Sequence, residues 1–220
     1  MKILELFSGT ESFSKVARAR EHECFTVDNN PIFKPSLCKD IMDLKVEDIP
    51  FKPDIIWASP PCTTFSVASI SRHWNKDGTP KESALKGMAI VLKTIAFIRE
   101  MNPKFWIIEN PRGMLRKQSF MPNEFRKTVT YCQYGHVSQK PTDLWNNISD
   151  WIPKPMCKPG SPCHEKASRG AKTGIQGIYN KKDYMSCHRS AVARAIIPSD
   201  LCQEILDACE IARLAKEKKT

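Results

Sequence analysis

The stretch DIIWASPPCTTFS, residues 54–66, holds Cys62 behind two consecutive prolines at the end of an apolar run. A second apolar run, KFWIIEN, ends in Glu109 and Asn110 and is followed by Pro111 and Arg112. In a reactive setting a thiolate is a nucleophile that forms covalent intermediates, and a carboxyl group exchanges protons with a substrate. In an ordinary setting the same cysteine fills a core, and the glutamate is a solvated charge at a strand end. The choice depends on whether the elements carrying the two residues bring them together.

KILELF is a short apolar run stopped by Ser8-Gly9-Thr10, which reads as a strand and a turn. SFSKVARAR follows as a helix, and CFTVD as a second strand ending in Asp28. DIIWAS is a third strand, ended by Pro60 and Pro61, which donate no ladder hydrogen bond. Leu85, Met88, Ala89, Leu92, Ile95 and Ala96 recur at helical intervals, predicting an amphipathic helix over Glu82–Met101. KFWIIEN is a fourth strand, and KTVTYCQYG and TDLWNN are candidates for two more. Strands alternating with helices predict an open α/β sheet, doubly wound and mostly parallel. Ligands of such sheets sit beyond the carboxyl ends of the strands. Ser8-Gly9-Thr10, Asp28, Pro60-Pro61-Cys62 and Glu109-Asn110 all follow strand ends, so one shared rim is expected.

The 220 residues suffice for one domain with a small appendage. No apolar run approaches the ~20 residues of a membrane span, and MKILELFSGT lacks the layout of a secretory signal. A cytoplasmic protein without a membrane partner is expected, and a monomer is favoured. The nine cysteines, odd in number and irregular in spacing, are expected to be mostly reduced. Residues 1–60 hold 8 Lys/Arg against 10 Asp/Glu, whereas residues 61–220 hold 26 against 14. That asymmetry points residues 61–220 toward a polyanion, nucleic acid first, with a solubilising surface as the bland alternative.

From Ile148 to Arg189 the chain is rich in Pro, Gly, Lys and Cys and has little periodicity, which reads as a small irregular lobe. IIPSDLCQEILDACEIARLAK then predicts a helix, with Ser199 as N-cap and Leu201, Ile205, Ala208, Cys209 and Ala212 along one stripe. The expected parts are a catalytic domain over 1–147, a reduced lobe over 148–187, and a returning helix within 188–220. In the lobe, CKPGSPCH and SCHRS supply closely spaced thiols and imidazoles. Cys157, Cys163, His164 and Cys187 are candidate ligands of a structural zinc that would replace a missing hydrophobic core. Reduced, partly buried cysteines are the alternative.

In order and spacing, LELFSGTESFS, ASPPCTTFS and IIENPRG resemble the motifs of the cytosine-C5 DNA methyltransferases, most closely the short forms carried by bacteriophages. YGHVSQKPTDLW and ARAIIPSDLCQEIL are weaker versions of later motifs, so the resemblance covers about residues 1–147 and 188–210. It implies a Rossmann-like methyltransferase sheet with a small irregular lobe, a DNA substrate, S-adenosylmethionine as cofactor, and the cytoplasm of a bacterial host. Cytosine C5 is a poor nucleophile, but thiolate attack on C6 leaves enamine-like electron density on C5. Protonation at N3 makes C6 easier to attack. The resemblance makes Cys62 the nucleophile and Glu109 the group at N3, with Asn110 and Arg112 positioning the loop. It places Phe7 against the adenine, and Ser8, Gly9, Thr10, Glu11 and Ser12 at the methionine end, helped by the following helix N-terminus. Asp28 and Asn29 fall at the ribose, the acid accepting from its hydroxyls. Asp40 and Ile41 fall at the adenine, and Pro60 completes the cofactor set.

The chain departs from the family pattern at several positions. Glu11 stands where a second glycine is usual, Thr63 replaces a glutamine after the cysteine, Pro111 replaces a valine, and Arg194 replaces an asparagine. Pro141 and Asp143 replace two arginines after Gln139, one of which helps hold the base, so Arg72 or Arg112 is expected to take over. The short lobe offers little surface for reading several base pairs, which predicts weak or very short specificity or a single-stranded target. Arg72, Trp74 and Lys76 are candidates to insert near that target. Two alternatives stand beside the methyltransferase: a weakened nucleic-acid-binding or decoy protein, and the same chemistry on RNA or a free pyrimidine nucleotide.

Overall fold

The computed structural model describes residues 1–158, 160–164 and 195–217. Among these residues seven strands form one sheet: β1 Lys2–Leu6, β2 Glu23–Asp28, β3 Leu37–Cys38, β4 Ile55–Ala58, β5 Phe105–Pro111, β6 Arg126–Thr130 and β7 Pro141–Asn146. Their order is β3-β2-β1-β4-β5-β7-β6. The first five run parallel, and β7 lies antiparallel between β5 and β6. The expected doubly wound, mostly parallel sheet is therefore present. The strand order reverses between β1 and β4, which makes the crevice beyond their carboxyl ends the natural ligand site.

Alternation along the strands divides the core between two faces. Ile3, Ile55, Trp57 and Ile107 point to one side, where α1 (Ser12–Arg18) and the last helix, α4 (Ser199–Glu217), cover them. Phe13 stacks on Trp57 there, with ring centroids 4.7 Å apart. Leu4, Leu6, Ile56, Ala58 and Ile108 point to the other side, under α3 (Glu82–Met101). A short helix, α2 (Ile70–His73), precedes α3. All four residues of β4 are fully buried, as expected of a central strand covered on both faces.

The ends of α3 agree with the sequence reading, and Met88 and Ile95 of the predicted set pack against the core, but the centre of the buried stripe lies to one side of it. Leu85 and Leu92 are 52% and 45% exposed, while Ala84, Val91, Thr94, Phe97, Ile98 and Met101 face the sheet. This helix is apolar over much of its surface, so periodicity alone leaves neighbouring stripes nearly equivalent. Gly87 settles the choice, because a Cβ there would come within 2.5 Å of the Thr64 hydroxyl. Two other expectations change. The strand from Lys127 ends at Thr130, and Tyr131–Tyr134 form a tight helical turn closed by Gly135 at φ 82°. Ser199 is the first residue of α4 rather than its cap.

Helix α4 buries Leu201, Cys202, Ile205, Leu206 and Cys209 completely. Near its middle Arg20 pairs with Asp207 and Glu210 at 2.5 and 2.6 Å, and His22 reaches Glu210 at 2.7 Å. Among the described residues no helix is long and apolar enough to cross a membrane, and no cysteine is in a disulfide.

Candidate active site

The first rim segment leaves β1 through Phe7 at φ 56° and Gly9 at φ 46°. Asp28, at the end of β2, ties this turn down: one carboxylate oxygen accepts from the Gly9 N–H at 2.9 Å, the other from Asn30 N–H at 2.8 Å. Glu11 adopts the left-handed conformation, φ 56°, at a position where the family pattern has glycine. Its side chain turns away from the rim, accepting from Arg18 at 2.5 Å and from the Thr26 hydroxyl at 3.0 Å. Those contacts offset the roughly 1–2 kcal/mol that a non-glycine residue loses in this conformation. Glu5 lies behind the turn, buried, and accepts from the Phe13 and Ser14 N–H groups at the start of α1. Burial pushes its carboxyl up to about 7, against these donors.

Cys62 and Glu109 come from adjacent strands, and their loops are locked together. Asn110, fully buried, donates from Nδ2 to the Pro60 carbonyl at 3.0 Å. The Met114 N–H donates to the Phe65 carbonyl at 2.8 Å. Gly113 presses so closely that a Cβ would lie 2.1 Å from that carbonyl oxygen. Glu109 is buried and accepts a hydrogen bond from the Tyr131 hydroxyl at 2.9 Å. Burial first, and the neighbouring carboxylate second, hold the Tyr131 hydroxyl far above its ordinary pKa, so it remains a donor.

A cavity of about 490 Å³ opens at this rim. Phe7, Ser8, Gly9, Thr10, Ser12, Pro60, Cys62 and Glu109 all line it. A smaller hollow of about 50 Å³ is lined by Asp28, Asn29, Asp40 and Ile41, and both spaces share Phe7 and Pro61 as walls. Ser8 Oγ is buried and has no hydrogen-bond partner among the described residues. Three candidates lie off the cavity walls: Glu11, held by Arg18; Asn110, behind the loops; and Arg112, exposed at the surface. Trp74 is not positioned to insert into a target, because it is buried and donates to the Thr64 carbonyl at 2.8 Å.

Several wall residues were given no role in the sequence reading, among them Glu5, His136, Ser138 and Lys140. Lys140 Nζ sits 4.5 Å from the centroid of the Tyr131 ring. The one signal for Lys140 was its place between Gln139 and Pro141, where arginines were expected nearby. Asp143 does not face the cavity. It is fully buried and paired with Arg116, whose Nε and terminal nitrogen reach its oxygens at 2.8 and 2.5 Å, with Thr128 donating as well.

Among the candidate metal ligands, Cys157, Cys163 and His164 do come together, joined by Cys132 from the turn after β6. Cys187 lies outside the described residues.

Against known proteins, the family profile described as "C-5 cytosine-specific DNA methylase" matches residues 1–135. The chain belongs to this family, an enzyme class: DNA (cytosine-5)-methyltransferase. A relative from Frog virus 3 (isolate Goorha), described as "Probable DNA (cytosine-5)-methyltransferase", is 29% identical over 95% of this chain and its own full length. Two solved structures are similar at lower identity. A DNMT2 mutant of Spodoptera frugiperda is 18% identical, with a TM-score of 0.44 over 71% of this chain and 53% of that one. The methyltransferase EhMeth of Entamoeba histolytica is 12% identical, with a TM-score of 0.48 over 69% and 54%. The chain thus spans about half the length of these solved proteins.

Proposed function

We propose that the chain uses S-adenosylmethionine to methylate C5 of cytosine in DNA, through a covalent bond between Cys62 and C6. One observation carries this reading: Cys62 and Glu109 share the wall of a single cavity, which adjoins a second hollow bearing Asp28, Asp40 and Ile41. The donor set fits the cofactor. Asp28 and Asp40 offer acceptors for hydroxyl and amino groups, and each Asp28 oxygen keeps a lone pair beyond its backbone bond. Phe7, Pro61 and Ile41 offer apolar surface for a flat ring, and the orphaned Ser8 hydroxyl offers a polar contact. When bound, the cofactor supplies an electrophilic methyl group on a sulfonium.

The protein's own residues then divide the work. Cys62, as thiolate, adds to C6, and Glu109 shares its proton with N3, so that C5 gains electron density. Tyr131 orients Glu109, and Asn110 keeps its loop in register with that of Cys62. Loss of the C5 proton to a base, departure of Cys62 and return of the N3 proton to Glu109 restore the ring, the thiolate and the acid. Lys140 provides a cation on the cavity wall, a role the sequence had suggested for Arg72 or Arg112.

Incubation with tritiated cofactor and, separately, duplex DNA, single-stranded DNA, RNA and dCMP tests the reading. Label is expected in a DNA arm, and 5-fluorocytosine DNA is expected to trap the protein covalently. Cys62→Ala is expected to abolish transfer while leaving cofactor binding largely intact. Turnover retained by this variant would remove the mechanism, and DNA binding without any labelled product would favour a decoy.

A further inference from the structure

We propose that Cys132, Cys157, Cys163 and His164 form a closed, structural zinc site that staples the segment after β7 to the wall of the active-site cavity. The Cys157 and Cys163 sulfurs are 3.2 Å apart, and those of Cys163 and Cys132 are 3.7 Å apart. His164 Nδ1 lies 3.3 Å from the first of these sulfurs and 3.6 Å from the second. All four donor atoms lie within 4.8 Å of one another.

These spacings are those of ligands around one small ion. With Zn–S near 2.3 Å and Zn–N near 2.0–2.1 Å, a tetrahedron has edges of about 3.8 Å between sulfurs and about 3.6 Å between sulfur and nitrogen. A disulfide requires about 2.05 Å, well inside the closest sulfur pair. Three thiolates and one imidazole complete a Cys₃His set with no open position, the pattern of a structural rather than a catalytic site. Soft sulfur donors select zinc over magnesium or calcium.

The surroundings support a built site. Gln133 Nε2 points at the Cys163 sulfur at 3.4 Å, as an outer partner of a thiolate would. The Cys157 N–H donates to Thr130 at 2.9 Å, and Gln139 donates to the Cys157 carbonyl at 3.1 Å. Thr130 and Gln139 flank the segment that carries Tyr131, the partner of Glu109, and the wall residues His136 and Ser138, with Lys140 next in the chain. Cys132 comes from this turn, and the other three ligands come from residues 157–164. One ion therefore joins the turn after β6 to the segment after β7. Zinc displaces the three thiol protons into solvent as it binds. Cys187, a candidate from spacing alone, is not required.

The full chain purified from zinc-supplemented medium is expected to carry one zinc per molecule by elemental analysis. Replacement by cobalt is expected to give the thiolate charge-transfer and intense visible bands of a tetrahedral sulfur-rich site. Cys163→Ser, at an exposed ligand, and Cys132→Ser are expected to lower the zinc content at least fivefold. Cys187→Ser and Cys38→Ser are expected to leave it unchanged. Wild-type chain without zinc, a Cys157–Cys163 disulfide found by mass spectrometry, or full zinc in both Cys132→Ser and Cys163→Ser would overturn the proposal. None of these readouts depends on methyl transfer.

Discussion

The Tyr131 hydroxyl donates a 2.9 Å hydrogen bond to the Glu109 carboxylate, and both side chains are buried. Glu109 sits on β5 and Tyr131 just past β6, with β7 between them in the sheet. Tyr131→Phe removes the donor and keeps the ring, so the buried Glu109 carboxyl loses this hydrogen bond. Leaving a buried acceptor without its donor costs about 1–3 kcal/mol. The variant is expected to lower kcat about tenfold and to leave the KM for DNA nearly unchanged. An unchanged kcat in steady-state kinetics would show that the bond does not orient the acid.

Glu5 links stability to pH. Its carboxyl is raised from 4.5 to about 7 by burial in the folded chain. Between those values the folded state holds a proton that the unfolded state has lost, so stability falls as pH rises through this window and levels off above it. The full effect is about 3 kcal/mol. Denaturant unfolding measured from pH 5 to pH 8 is expected to show the fall, and Glu5→Gln to flatten it. An unchanged slope in the variant would assign the dependence to another group.

Asp143 stands where the family pattern has an arginine, and the fold answers by bringing Arg116 to it. The carboxylate is fully buried, so removing the cation leaves a charge without compensation. Arg116→Met is expected to cost about 3–5 kcal/mol in chemical denaturation, and Arg116→Met combined with Asp143→Leu to recover most of it. A single variant as stable as the parent would contradict this account.

Among the described residues that line the cavity, Lys140 is the one lysine or arginine, and its Nζ lies 4.5 Å from the Tyr131 ring centroid. Lys140→Ala is expected to raise the KM for DNA about tenfold, equivalent to about 1.4 kcal/mol, while Arg112→Ala changes it by less than twofold. Steady-state kinetics on both variants checks the order, and the reverse ranking would return the role to Arg112.

Four strands were legible because each is an apolar run closed by a breaker: Ser8-Gly9 after β1, Asp28-Asn29 after β2, Pro60 after β4 and Pro111 at the end of β5. Strand β3, two residues long, has no pattern to read. The helix α3 was legible, but not which neighbouring residues are most deeply buried, because Leu85 and Leu92 satisfy the same period as Ala84 and Val91. Only contact with Thr64 at Gly87 separates the two stripes. The wall residues from His136 to Lys140 were missed for a related reason. They connect β6 and β7, whose antiparallel pairing arises between segments distant from β5, and no local period announces it.

Stop signals and alternation are local properties of the chain, so the strand ends, and with them the places of Cys62, Glu109, Ser8 and Asp28, can be read from the order of residues. Which side chains meet across the fold is settled by packing: Tyr131 on Glu109, Arg116 on Asp143, and Cys132 beside Cys157, Cys163 and His164. Each of these pairings spans elements whose relative register is set by burial of the whole sheet, and a contact of that kind leaves no trace in the spacing of neighbouring residues.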